Sequence, residues 1–170
     1  MNIPVHNIVS LGGVTIGLSI LGWNIARWWV GHKKRNIKAL LDLVPFTLCA
    51  LYGMLLILSA GGLLGGGADW TLWGTSAIGD AALEYGVGGG TPNVTRTSNL
   101  ILTDGGHAVV IISTVILIAV WTFRRGFRWD LFFGVLCGIS LGLSSGAAGA
   151  AGYVLSPVVS TAGDYVVGLL

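Results

Sequence analysis

Charge is what this chain has least of: only 9% of its 170 residues are Asp, Glu, Lys or Arg, and its mean hydropathy is +0.82. Such a composition excludes an ordinary soluble domain and places the chain in a bilayer. Cysteine is scarce too. Cys49 and Cys137 both fall in apolar stretches, where a free thiol acts as a small hydrophobe and no disulfide framework is implied. Chemistry-bearing groups are missing where a membrane enzyme would need them. The later apolar stretches offer Ser113, Thr114, Ser140, Ser144, Ser145 and Cys137, with no His or carboxylate at matching depth, so catalysis is not expected. His6 and His107 accompany Asp69 and Asp104 without the spacing of a zinc or haem site, and neither metal nor cofactor is expected. The basic clusters are too short, and too closely flanked by lipid-type sequence, for a nucleic-acid surface.

What the chain does have is a segregated charge pattern. Eight of its nine basic residues lie in or beside two clusters, Arg27 to Lys38 and Arg124 to Arg128, each between apolar runs. Cytoplasmic loops retain Lys and Arg, so Lys33, Lys34, Arg35, Arg124, Arg125 and Arg128 are expected to anchor two cytoplasmic turns. Both termini and the central segment then lie outside. The expected fold is an all-α integral membrane protein, a single membrane domain of four transmembrane helices in two antiparallel hairpins. At about 1.5 Å per residue the spans fall at roughly 8–30, 39–64, 106–123 and 131–155. An extracytoplasmic loop of roughly 40 residues, 65–104, joins the hairpins, and the tail 158–170 is left as an interfacial helix or an extended strand. The first basic residue follows the first apolar run, so that run is expected to remain as a helix and not to be a signal peptide. Trp28, Trp29, Trp121 and Trp129 bracket the basic turns while Trp70 and Trp73 follow the second span, as interfacial aromatic belts do.

The central loop carries four of the seven carboxylates, Asp69, Asp80, Glu84 and Asp104, together with glycine runs and the apolar residues Trp70, Leu72, Trp73, Ile78, Leu83, Tyr85 and Val87. Those apolar residues want a surface to lie on, and the stretch Thr75 to Tyr85 is predicted as a short helix resting on one. Asn93-Val94-Thr95 fits a glycosylation acceptor triplet. The halves each read span, basic turn, span. Setting Leu48-Cys49 against Leu136-Cys137 hints at an internal repeat, although the distances from Gly12 and Gly105 to these cysteines differ by five residues.

Two constellations stand out. Gly134, Gly138, Gly142 and Gly146 recur every four residues, which puts them on one helix ridge where backbones can approach closely in lipid. Gly13 and Gly17 form a shorter groove on the first span. The ridge is expected to pack against the first or second span, against another protomer, or, least favoured, to line a pore. Asp42, the one acid inside a span, is expected to pair with Lys38 or Arg27 near the cytoplasmic surface; an ion or proton path is the competing reading.

In general design, a glycine-rich apolar hairpin with a basic cytoplasmic turn and outer termini resembles the pilin subunits of conjugation-type secretion systems, here doubled. That resemblance implies a self-associating structural or assembly subunit, in contact with the lipid bilayer and with copies of itself or other membrane subunits. The alternatives are a homo-oligomeric channel, holin-like pore or small-solute transporter, resting on Asp42 and the acidic outer loop, and an accessory subunit of a larger respiratory or transport complex.

Overall fold

The computed structural model describes residues 8–31, 43–59, 62–95, 102–123, 129–145 and 150–168. It is all-helical, with no strand among the described residues: α1 (Leu11–Gly31), α2 (Val44–Leu58), α3 (Gly62–Ala81, running on into a π-helical turn, Ala82–Val87), α4 (Asp104–Phe123), α5 (Trp129–Gly142) and α6 (Ala150–Val167). Among the described residues no single helix is long and apolar enough to cross a membrane; α2 and α3 reach that length and apolarity only as a pair bent by 106°.

Two long apolar runs are therefore broken where continuous helices are predicted. The run over 39–64 ends as α2 at Leu58, because the Ser59 hydroxyl turns back onto the Leu56 carbonyl at 2.7 Å and Gly62 takes φ +71°. Serine competes for helix carbonyls and glycine reaches left-handed φ at little cost, so this short polar and glycine-rich stretch overrides the apolar composition around it. The run over 131–155 likewise stops at Gly142, where the Ser144 N–H closes onto the Leu141 carbonyl at 3.1 Å. Most of the segment read as a loop is helix: α3 and its π-turn occupy 62–87, ending where Gly88 adopts φ +69°. The tail is helix too. Pro157 sits inside α6 and does not close the preceding helix. Pro45, by contrast, lies in the first turn of α2, where its missing N–H has no helical partner to lose.

The described helices fall into two three-helix sets, α1–α3 and α4–α6, with short matching motifs and matching contacts. Ser10-Leu11-Gly12-Gly13 at the start of α1 matches Thr103-Asp104-Gly105-Gly106 at the start of α4, 93 positions on. Gly53 to Ser59 matches Gly138 to Ser144, 85 positions on, with identical residues at Gly53 and Gly138, Leu56 and Leu141, Leu58 and Leu143, and Ser59 and Ser144. Ser76-Ala77-Ile78-Gly79-Asp80 in α3 matches Ser160-Thr161-Ala162-Gly163-Asp164 in α6, 84 positions on. The contacts are reciprocal. Gly53 faces the Val135 carbonyl and Gly138 faces its counterpart, the Ala50 carbonyl. Cys49 is thus the counterpart of Gly134, and Cys137 of Tyr52, so the alignment of the two Leu-Cys pairs is out by three positions.

Contact register rises together along α2 and α5, from Phe46 and Gly134 through Ala50 and Gly138 to Ile57 and Gly142. The two central helices are parallel, and the pseudo-twofold axis runs between them. α2 is apolar on nearly every side, and Phe46, Cys49 and Tyr52 to Leu58 lie in the core, while Val44, Thr47 and Leu48 in its first turns are exposed. From its end the chain turns into α3, which crosses to the first turn of α1; α6 makes the same connection from α5 to the first turn of α4. Residues 92–95 then tuck between the halves: Leu11 N–H donates to the Pro92 carbonyl at 2.9 Å, Val94 N–H to the Val9 carbonyl at 3.0 Å, and Ser145 N–H to the Val94 carbonyl at 3.0 Å.

Candidate functional site

The most crowded part of the molecule is the seam between α2 and α5. A methyl group built on Gly138 would overlap the Ala50 carbonyl oxygen, and one on Gly53 the Val135 carbonyl oxygen. Gly134 would meet Cys49 Cβ and the Phe46 carbonyl at 2.8 Å, and Gly142 would meet Ile57 Cγ2 at 2.6 Å. The three described members of the glycine ridge thus all face α2; Gly146 lies outside the described residues. The groove on α1 does not meet that ridge. Gly13 faces Ser76 of α3, and Gly17 faces Leu141 and Ser140 on another side of α5, where Cys137 Sγ donates to the Gly17 carbonyl at 3.3 Å.

Asp42, Lys38, Lys33, Lys34, Arg35, Arg124, Arg125 and Arg128 lie outside the described residues, so the proposed charge pair and the cytoplasmic anchors are not placed. Arg27 is exposed on the last turns of α1. His107 uses Nδ1 on the Thr103 carbonyl at 2.9 Å, within its own first turn. Among the described residues no group of three His, Cys, Asp or Glu could hold a metal ion.

The features missed in the sequence are two matching clasps. In the first, Gly12 and Gly79 bring the backbones of α1 and α3 into direct contact, so that a methyl at either would overlap the other chain segment. Asp80 follows Gly79 and accepts the Gly12 N–H at 3.2 Å, while Ser10 Oγ accepts the Gly13 N–H at 3.2 Å. A carboxylate and a hydroxyl thereby satisfy the open donors at the helix start, where the macrodipole also favours negative charge. In the second clasp Gly105 and Gly163 touch in the same way. Thr103 Oγ1 accepts the Gly106 N–H at 3.3 Å and donates to Asp164 Oδ1 at 2.9 Å, and Ser160 Oγ accepts the Thr103 N–H at 3.4 Å. The signal available in the sequence was the recurrence of a hydroxyl-x-Gly-Gly start followed by Ser-x-x-Gly-Asp.

Beside the first clasp opens a cleft of about 300 Å³ lined by Ile8, Ser10, Trp73, Ser76, Asp80 and Asn93. Next to Ser76 in the chain, Thr75 Oγ1 accepts the Ser140 hydroxyl at 3.3 Å. A wider, shallower depression of about 740 Å³ runs along α6 over Pro157, Val158, Thr161, Ala162 and Tyr165. Comparison with protein-family models, with curated proteins and with solved structures gave no match.

Proposed function

We propose that this chain is a multi-pass integral membrane subunit that assembles with copies of itself or with other membrane subunits, and that it has no catalytic role. The observation that carries the reading is the α2–α5 seam. Carbonyl oxygens of one helix sit against glycines of the other along the pseudo-twofold axis, leaving no room for a path along that seam. Close packing there supports a structural role over a conduit.

In this reading α1, α2, α4 and α5 are the four spans. α1 and α4, of 21 and 20 residues, measure about 30 Å, the thickness of a hydrocarbon core. α2 and α5 are parallel, and in the sequence each follows one of the basic clusters, so in this reading the positive-inside bias makes the end at which both helices start cytoplasmic. α3 and α6 then rest on the outer face, and Trp70 and Trp73, exposed at 71% and 59%, sit at the interface. Small residues open to neighbours support assembly: Gly67 and Gly74 of α3 have no atom within 4 Å of a built Cβ, and the α6 depression is lined by small and apolar groups.

The test is the mass of the nanodisc-solubilised particle together with flux in liposomes. A uniform particle of several copies with tight liposomes is expected. A monodisperse monomer, or ion flux that Asp42→Asn abolishes, would refute the assembly reading, the second outcome in favour of a channel.

A further inference from the structure

We propose that the cleft beside the first clasp binds a primary ammonium group, carried either by an ethanolamine-type lipid headgroup or by a free amine of the same chemistry. The first observation is an orphan. Ser76 is only 9% exposed, lines the cleft, and among the described residues its Oγ has no hydrogen-bond partner. A buried hydroxyl left unmatched is costly, and native structures keep few of them without a reason.

The second half of the molecule shows what a closed version of this corner looks like. There Ser160, the counterpart of Ser76, receives the Thr103 N–H, and Asp164 receives the Thr103 hydroxyl. Ser10 stands where Thr103 stands. It makes one of the equivalent bonds, to the Gly13 N–H, and makes none to Asp80. One copy of the motif is satisfied from within, and in the other the unpartnered Ser76, set against Gly13, and Asp80 both line a cleft.

Polarity decides the ligand. The donors at the start of α1 are already committed: Leu11 N–H to the Pro92 carbonyl, Gly12 N–H to Asp80, Gly13 N–H to Ser10 Oγ and Val14 N–H to the Ser10 carbonyl. An anion would find none of these four donors free and would meet the Asp80 charge. What remains is acceptor capacity, in the second oxygen of Asp80, the Ser76 and Ser10 hydroxyls and the Asn93 amide oxygen, with Trp73 also in the lining. Three N–H donors on one cation match such a set, and an indole face adds a cation–π attraction. A volume of about 300 Å³ is at the small end for ligand pockets and suits a headgroup and not an acyl chain. The lipid source rests on the reading of α3 as interfacial, whereas recognition of the ammonium group does not.

The test uses the full chain. Detergent-solubilised protein is dialysed against radiolabelled ethanolamine. In parallel, protein from nanodiscs of phosphatidylethanolamine or phosphatidylcholine with identical acyl chains is examined by native mass spectrometry for retained lipid. Saturable ethanolamine binding is expected, weakened about tenfold by Ser76→Ala, which removes a bond to a charged group and disturbs no existing one. Trp73→Leu should weaken it severalfold through the lost cation–π contact. Choline and phosphatidylcholine, whose nitrogen donates nothing, should bind much less. Retention of phosphatidylethanolamine without binding of the free amine assigns the site to lipid. Binding of the free amine alone assigns it to a soluble ligand and counts separately against α3 at a membrane surface. The proposal is overturned if neither source binds, if Ser76→Ala binds as tightly as the wild type, or if choline equals ethanolamine.

Discussion

Replacing Gly138 by alanine asks how much of the molecule hangs on one backbone contact. The added methyl lands on the Ala50 carbonyl oxygen and lies 2.9 Å from the Met54 amide nitrogen. Neither is a side-chain end that can rotate away, so α2 and α5 must separate. Overpacking of this kind costs about 1–3 kcal/mol, and a gap of about 1 Å along the seam forfeits a quarter to a half of each neighbouring dispersion contact. The better helix propensity of alanine offsets about 1 kcal/mol. A net loss of about 2 kcal/mol is expected, read by reversible unfolding in mixed micelles. The series should be graded. Gly134→Ala meets Cys49 Cβ and a carbonyl at 2.8 Å and should cost slightly less, and Gly142→Ala, which meets the β-branch of Ile57 at 2.6 Å and Met54 Cα at 3.2 Å, should cost about 1 kcal/mol. Gly22, which has nothing within 4 Å, supplies the control, and Gly22→Ala should be neutral or stabilising by up to about 1 kcal/mol. Because Gly53→Ala and Gly138→Ala open the same seam, the double variant should lose less than the sum of the two by at least about 0.5 kcal/mol. Gly138→Ala and Gly22→Ala indistinguishable in stability would refute the reasoning.

The clasps and the orientation give two further expectations. Asp164→Ala and Thr103→Val should each cost about 1 kcal/mol as lost capping interactions, and the double variant little more; additive losses would mean that the 2.9 Å bond between them contributes nothing. In a background lacking Cys49 and Cys137, single cysteines at Ser98 and Thr161 should react with an impermeant thiol reagent in intact cells while one at Asn36 should not, and labelling of Asn36 alone would reverse the orientation.

Helical character was legible from composition, and so was the glycine ridge, since a spacing of four needs only the helical period to be read as one face. The helix ends were not. Apolar composition runs through Ser59 and Ser144, and the bonds that stop α2 and α5 there belong to single hydroxyl and amide groups that a hydropathy average does not register. The stretch 65–74 was misread for the opposite reason: its glycines depress helix propensity, yet Ala68 and Leu72 are buried at 2% and 0% exposure, and that burial against the bundle outweighs the propensity cost. The duplication was obscured because its offset changes from 93 to 85 to 84 positions as the connections differ in length. The clasps followed it into obscurity, since Gly12 and Gly79 mean little apart and become a contact only when the fold sets them together.

The two halves have also diverged, in a direction that can be traced to two substitutions. α1 lies against α5 far more extensively than α4 lies against α2, although the pairs are counterparts. On the close side α1 presents Gly17 and α5 presents Cys137, so the backbone of one helix reaches the thiol of the other. On the open side the corresponding positions hold Val110 and Tyr52. A branched side chain in place of glycine, opposite a phenol in place of a thiol, sets the minimum separation, and only the tip of Tyr52 bridges it, its hydroxyl 2.7 Å from Thr114 Oγ1. α4 is left with Ile111, Ile112, Val115, Ile116 and Ile118 exposed at 51–61%. A molecule that duplicated a self-complementary unit, closed one of the two equivalent helix contacts with small residues and propped the other apart with large ones has an asymmetric apolar perimeter. Under the membrane assembly proposed above, where apolar surface alone gives helices no reason to associate, that asymmetry would offer neighbours two chemically different sides.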